Sequence, residues 1–246
     1  MTAHAKVYTD LFIDFDDTIY DTRGSAEKAL ALLFDEMHWH RHFARMEDFT
    51  IPYWETNRRL WNQYSLGQID RDYLIVERFR QPLLHGRGLN PSREECLAVS
   101  DRFLDLCSMQ PGVVPGARQL LDFLYGKCRM FICSNGFHET QQRKAEASDT
   151  ARYFNGMILS EDAGCNKPST AFYRYALQTS NARAETTLMI GDNLVTDIQG
   201  AHDTGIDTVY FNRWQTPERG VADYYADRLQ DIVTLVENGT IRLGAG

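Results

Sequence analysis

The chain's 246 residues are 43% hydrophobic, with an unexceptional 17 glycines and 7 prolines, which excludes a low-complexity or disordered protein and suits one large domain or a core with an inserted subdomain. A formal net charge of -8 excludes a nucleic-acid polymer held by nonspecific attraction, which takes clustered Lys and Arg. Single phosphates can still bind, because a few amides and one lysine outweigh a remote field screened beyond ~8–10 Å.

In chain order, Met1 to Asp10 has no basic segment followed by an apolar stretch, and no run approaches ~18 apolar residues. We therefore expect neither a leader nor a membrane partner. The run Leu11-Phe12-Ile13-Asp14-Phe15 ends in carboxylates, the pattern of a buried parallel strand whose carboxyl end opens into a site. From Thr22 to Gln110 the pattern turns helical, with amphipathic stretches at Ser25 to Phe34, Tyr53 to Tyr64, Asp70 to Leu84 and Ser92 to Leu106. Gly86 to Pro91 interrupts them, and Pro111-Gly112 with Pro115-Gly116 marks the return to the core.

Beyond that return, the pattern predicts a helix over Pro115 to Tyr125 and strands over Arg129 to Ser134 and, more weakly, Met157 to Leu159. A helix over Thr170 to Gln178, strands over Thr187 to Asp192 and Thr208 to Phe211, an edge strand at Tyr224 to Ala226 and a helix over Leu229 to Glu237 complete the series. The alternation predicts an α/β fold, a Rossmann-like doubly wound parallel sheet built from residues 1–21 and 111–246, with 22–110 inserted as a helical subdomain. A ligand then belongs outside the carboxyl ends of the strands.

Four polar clusters stand at or just beyond those ends: Asp14-Phe15-Asp16-Asp17-Thr18, Ser134-Asn135-Gly136, Lys167-Pro168, and Gly191-Asp192-Asn193 followed by Asp197. Taken singly each is bland. Asp16-Asp17-Thr18 would cap a helix, Ser134-Asn135-Gly136 would make a turn, Asp192-Asn193 a loop, and Lys167 would be a solvated lysine. As an ordered set they resemble the D-x-D-x-T, hydrophobic-S/T, K-P and G-D-x-x-x-x-D motifs of the haloacid dehalogenase superfamily, specifically its phosphatases. The resemblance covers roughly residues 7–22 and 112–237 and makes the inserted segment the family's variable α-helical cap. Asp14 to Thr18 and Gly191 to Ala201 are further similar to the pyrimidine 5′-nucleotidase branch. Asp17 stands where many relatives have glycine, and Asn193 where many have serine.

The resemblance implies a Mg²⁺-dependent phosphomonoester hydrolase acting through an aspartyl-phosphate on a small phosphorylated metabolite, a nucleoside 5′-monophosphate if the narrower similarity holds. Asp14 would be the nucleophile and Asp16 first the acid, then the base. Ser134, the amides around Asn135 and Gly136, and Lys167 would hold the phosphoryl oxygens. Asp14 and Asp192 would give carboxylate oxygens to the metal and Asp16 a backbone carbonyl, with Thr18 and Asp197 orienting the loop or the ligands. Elementary electrostatics agrees, since gathering Asp14, Asp16, Asp192 and Asp197 is costly unless a cation neutralises them, and Mg²⁺ suits oxygen ligands.

Two rivals remain at this stage. A 2-haloacid dehalogenase-type hydrolase needs neither a leaving-group acid nor a metal, so Asp16 and the Asp192/Asp197 pair argue against it. A non-enzymatic phosphoacceptor or phosphate-ligand binding module would store the group, whereas the large insertion and Asp16 favour turnover.

Other residues read as structure. His38, His40 and His42, with His38 and His42 one helical turn apart, read as a polar helix end, since no third ligand completes a metal pattern. Cys133 reads as a packing thiol. Five cysteines (Cys96, Cys107, Cys128, Cys133, Cys165) without a C-x-x-C pair predict reduced thiols in a cytoplasmic protein. A monomer or small homo-oligomer is expected. The stripe Tyr53, Trp54, Asn57, Arg58, Trp61 and Tyr64 reads chiefly as core of the insertion, with a platform for a nucleobase or sugar as the alternative.

Overall fold

The computed structural model describes residues 6–245. The part of Met1 to Asp10 that precedes Lys6, on which the no-leader expectation partly rests, lies outside the described residues. Two compact units emerge, one running up to Asp21 and resuming at Pro111, the other Thr22–Gln110.

Strands β1 (Val7–Tyr8) and β2 (Asp10–Ile13) open the first unit. The second unit holds helices α1 (Thr22–Glu36), α2 (Glu47–Ser65), α3 (Arg71–Leu83) and α4 (Arg93–Ser108). The first unit then continues with α5 (Ala117–Leu124), β3 (Arg129–Ser134), α6 (His138–Ala147), β4 (Gly156–Leu159), α7 (Ser160–Ala163) and α8 (Thr170–Ser180). After β5 (Thr187–Gly191), a π-helical turn over Leu194–Gln199 runs into α9 (Gly200–His202). Strands β6 (Asp207–Phe211) and β7 (Tyr224–Ala226), helix α10 (Leu229–Glu237) and strand β8 (Arg242–Leu243) follow.

Six strands form one parallel sheet in the order β4-β3-β2-β5-β6-β7, and β1 pairs with β8 in a separate parallel ribbon that periodicity did not predict. Within the large sheet β2 is central, with Leu11 opposite Met130 of β3 on one side and Leu188 of β5 on the other. The alternation of side chains explains why these strands read as unbroken apolar runs. Leu11, Ile13, Met130, Ile132, Leu188 and Ile190 pack against α5 and α10, while Phe12, Phe131, Cys133 and Met189 pack against α8. A strand covered on both faces has no polar side to show. Because the chain winds from β2 outward to β3 and β4, then returns to β5 on the other flank, the carboxyl ends of β2 and β5 form the switch point where a crevice opens.

Helix α6 escaped the pattern reading for a physical reason. Its buried positions are Gln141, Lys144 and Ala145, so it shows no apolar stripe.

In the second unit, Phe34, Trp39, Phe43, Phe49, Tyr53, Phe79 and Phe103 make an aromatic core. Ser92 and Glu95 close a capping box at the start of α4, and the Asp70 side chain caps α3. The aromatic stripe of α2 divides: Tyr53 is core with Trp54 packed against it, Arg58 is exposed, and Trp61 and Tyr64 are half-buried and touch edge to face. His38 and His42 are not successive turns of one α-helix, correcting that expectation, because His38 stands at φ 53 beyond the end of α1 and a short 3₁₀ turn follows it. His42 Nδ1 instead lies 2.8 Å from the Arg87 carbonyl oxygen. Among the described residues no helix is long and apolar enough to cross a membrane.

Gly200 marks a close approach near the site. A Cβ there would lie 2.7 Å from the Tyr173 ring and 2.8 Å from both Cα and the carbonyl oxygen of Pro168. Since backbone atoms cannot give way cheaply, Gly200→Ala is expected to destabilise the fold by about 1–3 kcal/mol, read from the urea midpoint at unchanged m-value; an unshifted midpoint contradicts this packing.

Candidate active site

At the carboxyl end of β2 the Asp14 amide donates to the Ile190 carbonyl at 2.8 Å, continuing the ladder one residue past the strand. This bond ties the start of the Asp14–Thr18 loop to β5. Opposite, Lys167 lies almost wholly out of water, with its Nζ donating to Asp14 Oδ1 at 2.7 Å, Asp197 Oδ1 at 2.7 Å and the Cys133 carbonyl at 2.8 Å. It is no solvated lysine. Its backbone is held by Asn135, whose side-chain amide donates to the Lys167 carbonyl at 2.9 Å and accepts from the Lys167 amide at 2.8 Å. The side chain of Asn135 therefore positions the lysine.

Asp197 is buried with both oxygens bonded: Oδ1 accepts from Lys167 and from the Thr196 hydroxyl at 3.2 Å, while Oδ2 accepts from the Asn193 amide at 3.1 Å. That carboxylate explains the glycine before Asp192, since a Cβ on Gly191 would lie 2.3 Å from Asp197 Oδ2. Asn193 caps the π-helical turn, its Oδ1 accepting from the Val195 and Thr196 amides at 3.0 Å each.

Asp14, Asp192 and Asp197 each bring an oxygen within 4.8 Å of the others, a group able to hold a metal ion. Because both oxygens of Asp197 already accept hydrogen bonds, whereas Lys167 takes only Oδ1 of Asp14, Asp14 and Asp192 are the better ligands. Three carboxylates against one ammonium leave negative charge unbalanced. Burial, with smaller contributions from Asp197 and Asp16, pushes Asp14 up to about 8 even though Lys167 pulls it down. Burial and the charges of Asp14, Asp197 and Asp17 hold Asp192 well above the usual carboxylate range, offset in part by a hydrogen bond from the Trp214 side chain. Although burial alone would lower it, the Lys167 ammonium is raised above its usual value by Asp14 and Asp197. A hard divalent cation on oxygen ligands fits this donor set.

Asp16 points toward α6, where Lys144 Nζ lies 2.5 Å from Oδ1 and Gln141 Nε2 donates to Oδ2 at 2.7 Å. Ser134 Oγ accepts from Gln141 Nε2 at 2.6 Å and from the Gly136 amide at 3.0 Å. With two bonds accepted, its own hydrogen is directed to Asp16 Oδ2 across a long 3.5 Å. Thr18 is fully buried, and its Oγ1 makes no hydrogen bond to a carboxylate. Its backbone neighbour Asp17 stands at φ 61, a conformation glycine adopts easily and Asp tolerates.

The sequence reading missed Gln141, Lys144, Arg213 and Trp214. Arg213 follows β6 and bonds the Asp17 carboxylate at 2.8 Å and that of Asp21, while its guanidinium lies 4.6 Å from the Trp214 ring centre. Asn212 shapes this loop, its Oδ1 accepting from the Thr216 amide at 2.9 Å. The one available signal was the unusual Asp17, whose charge calls for a cation; the polar face of α6 gave none in sequence.

A profile of the haloacid dehalogenase-like hydrolase family matches residues 11–205. The chain is 30% identical over 208 residues to the HAD-hydrolase YfnB of Bacillus subtilis, covering 84% of this chain and 85% of that protein. It is also 30% identical over 208 residues to the pyrimidine 5′-nucleotidase PynA of Streptococcus pneumoniae, covering 83% and 84%. The crystal structure of YfnB bound to magnesium superposes with a TM-score of 0.83 at 27% identity, over 94% of this chain and 99% of that one. The L-2-haloacid dehalogenase of Xanthobacter autotrophicus shares the fold at a TM-score of 0.71 and 17% identity, over 95% and 100% of the two chains. With these motifs at the ends of one parallel sheet, the chain belongs to the haloacid dehalogenase-like hydrolase family.

Proposed function

We propose that this enzyme hydrolyses a small phosphate monoester with Mg²⁺, through an aspartyl-phosphate on Asp14. The observation that carries the reading is the buried Lys167 ammonium bridging Asp14 and Asp197 beside Asp192, an arrangement that excess negative charge makes receptive to a divalent cation. The pyrimidine nucleotidase relative supports a nucleoside 5′-monophosphate as substrate. Residues 22–110 serve as the family's cap. The cysteines of the described residues, all free thiols, support a cytoplasmic protein.

Asp14 and Asp192 carboxylates and the Asp16 carbonyl would hold Mg²⁺, which would offset the repulsion between an anionic nucleophile and an anionic phosphoryl group. The Asp14 carboxylate attacks phosphorus as the ester oxygen departs, with Lys167 orienting it. Ser134 would turn its hydroxyl hydrogen from the long bond to Asp16 Oδ2 toward a phosphoryl oxygen. Asp16 gives a proton to the leaving oxygen, then takes one from the water that cleaves the acyl phosphate. A dehalogenase needs neither that acid nor a metal group, so the Asp16 and Asp192 arrangement disfavours it.

Asp14→Asn is expected to lower kcat on p-nitrophenyl phosphate by more than about 10³-fold with the thermal midpoint retained, because an amide is a poor nucleophile; near-normal turnover removes the mechanism. Chelation of divalent metal should stop hydrolysis and added Mg²⁺ should restore it, and activity that survives thorough dialysis against EDTA rules out the metal role.

The same charges predict a pH effect. A carboxyl whose pKa rises from 3.8 to about 8 on folding binds more protons in the folded chain, so without metal stability declines as pH rises through that window. Mg²⁺ binds the ionised form. It should therefore raise the melting temperature more at pH 8 than at pH 5, and an equal shift at both values contradicts the assignment.

A further inference from the structure

We propose that Gln141 and Lys144, three residues apart on the buried face of α6, are positioning residues that aim the Asp16 carboxylate at the leaving-group oxygen. The inference rests on the phosphatase reading and adds residues that no motif of the chain marks.

The geometry is fully determined by donors and acceptors. Gln141 Nε2 has two hydrogens, and both are used, one on Ser134 Oγ at 2.6 Å and one on Asp16 Oδ2 at 2.7 Å. Turning the amide over would set its oxygen against the carboxylate. Lys144 Nζ takes the other oxygen, Oδ1, at 2.5 Å, and the lysine is itself buried. Its ammonium also lies 5.4 Å from the ring centre of Tyr20, at the far end of the same loop. Each Asp16 oxygen thus has its own anchor, which removes the freedom of a short side chain to swing about χ1 and χ2.

Two features show that the arrangement is not there for stability. Gln141 is wholly buried while its Oε1 has no hydrogen-bond partner, so the amide is kept at a cost an apolar side chain of similar length would avoid. Lys144 likewise buries a charge, a desolvation cost that an apolar side chain would not incur. The loop is shaped around the same amide. A Cβ on Gly136 would lie 2.4 Å from Gln141 Nε2, so glycine at that place leaves room for the glutamine.

The array links the group that donates to phosphate with the group that moves the proton. Gln141 holds Ser134 and Asp16 through one nitrogen, fixing the leaving-group acid relative to the phosphoryl oxygens. A misplacement of about 1 Å is enough to cost on the order of 10²-fold in such a transfer.

The test is steady-state kinetics of Lys144→Met, Gln141→Met and Lys144→Arg in the full-length, Mg²⁺-supplemented enzyme. Two substrates are compared, p-nitrophenyl phosphate, whose leaving group needs no proton, and glycerol 2-phosphate, whose alkoxide does. For both Met variants kcat/KM on glycerol 2-phosphate should fall about 10- to 100-fold, and on p-nitrophenyl phosphate several-fold less. Lys144→Arg should recover most of the loss, since it keeps a cation for Asp16. Equal losses on both substrates would show a merely structural role and overturn the proposal. So would unchanged rates in folded Met variants, or a faster Lys144→Met enzyme, which would mean that the lysine restrains Asp16 from acting. If one Met variant does not fold, the other decides: a loss several-fold larger on glycerol 2-phosphate supports the proposal, and a loss equal on both removes it. A wild-type enzyme inactive on both phosphates rejects the phosphatase reading itself and this inference with it.

Discussion

The site depends on one buried ammonium. Lys167 has given up its water for three oxygens, and two of these belong to carboxylates that arrive from different strands. Desolvating a lysine is costly unless its charge is matched and its hydrogens are used, and here both conditions hold. The same contacts oblige Asp14, on the loop after β2, and Asp197, on the π-helical turn after β5, to face each other. Asn135 completes the arrangement by fixing the backbone of Lys167 from the loop after β3.

Around that ammonium the charge does not balance. Asp14, Asp192 and Asp197 outnumber it, and both Asp14 and Asp192 are driven toward the protonated form. Such frustration is a cost that a bound cation would relieve, and it is confined to the carboxyl ends of the central strands. Gly191 lies at one of these ends, and the Asp197 carboxylate fills the space its side chain would take.

The Asp14–Thr18 loop is held from two sides by consecutive residues. Asp16 is bound from α6 by Lys144 and Gln141, while Asp17, at φ 61, turns away to Arg213 on the loop after β6. Trp214, beside that arginine, reaches Asp192. Side chains of two connecting segments thus position three acidic residues, and the left-handed turn at Asp17 allows adjacent carboxylates to diverge.

Strands β2, β3 and β5 were legible because burial on both faces leaves only apolar residues, and Arg129 to Ser134 matches β3 at both ends. The clustering of Asp14, Lys167, Asp192 and Asp197 was legible for the same reason, as a parallel sheet brings its carboxyl ends to one edge whatever the separation in sequence. Tertiary structure alone decided the rest. The β1–β8 ribbon joins two-residue strands from opposite ends of the described chain, too short for any periodicity. The roles of Gln141, Lys144, Arg213 and Trp214 depend on which polar atoms meet, and a buried polar face looks in sequence like a solvated one until its partners are known. The backbone hydrogen-bonding period is local and written along the chain, whereas pairing of charges is a property of the folded space between segments.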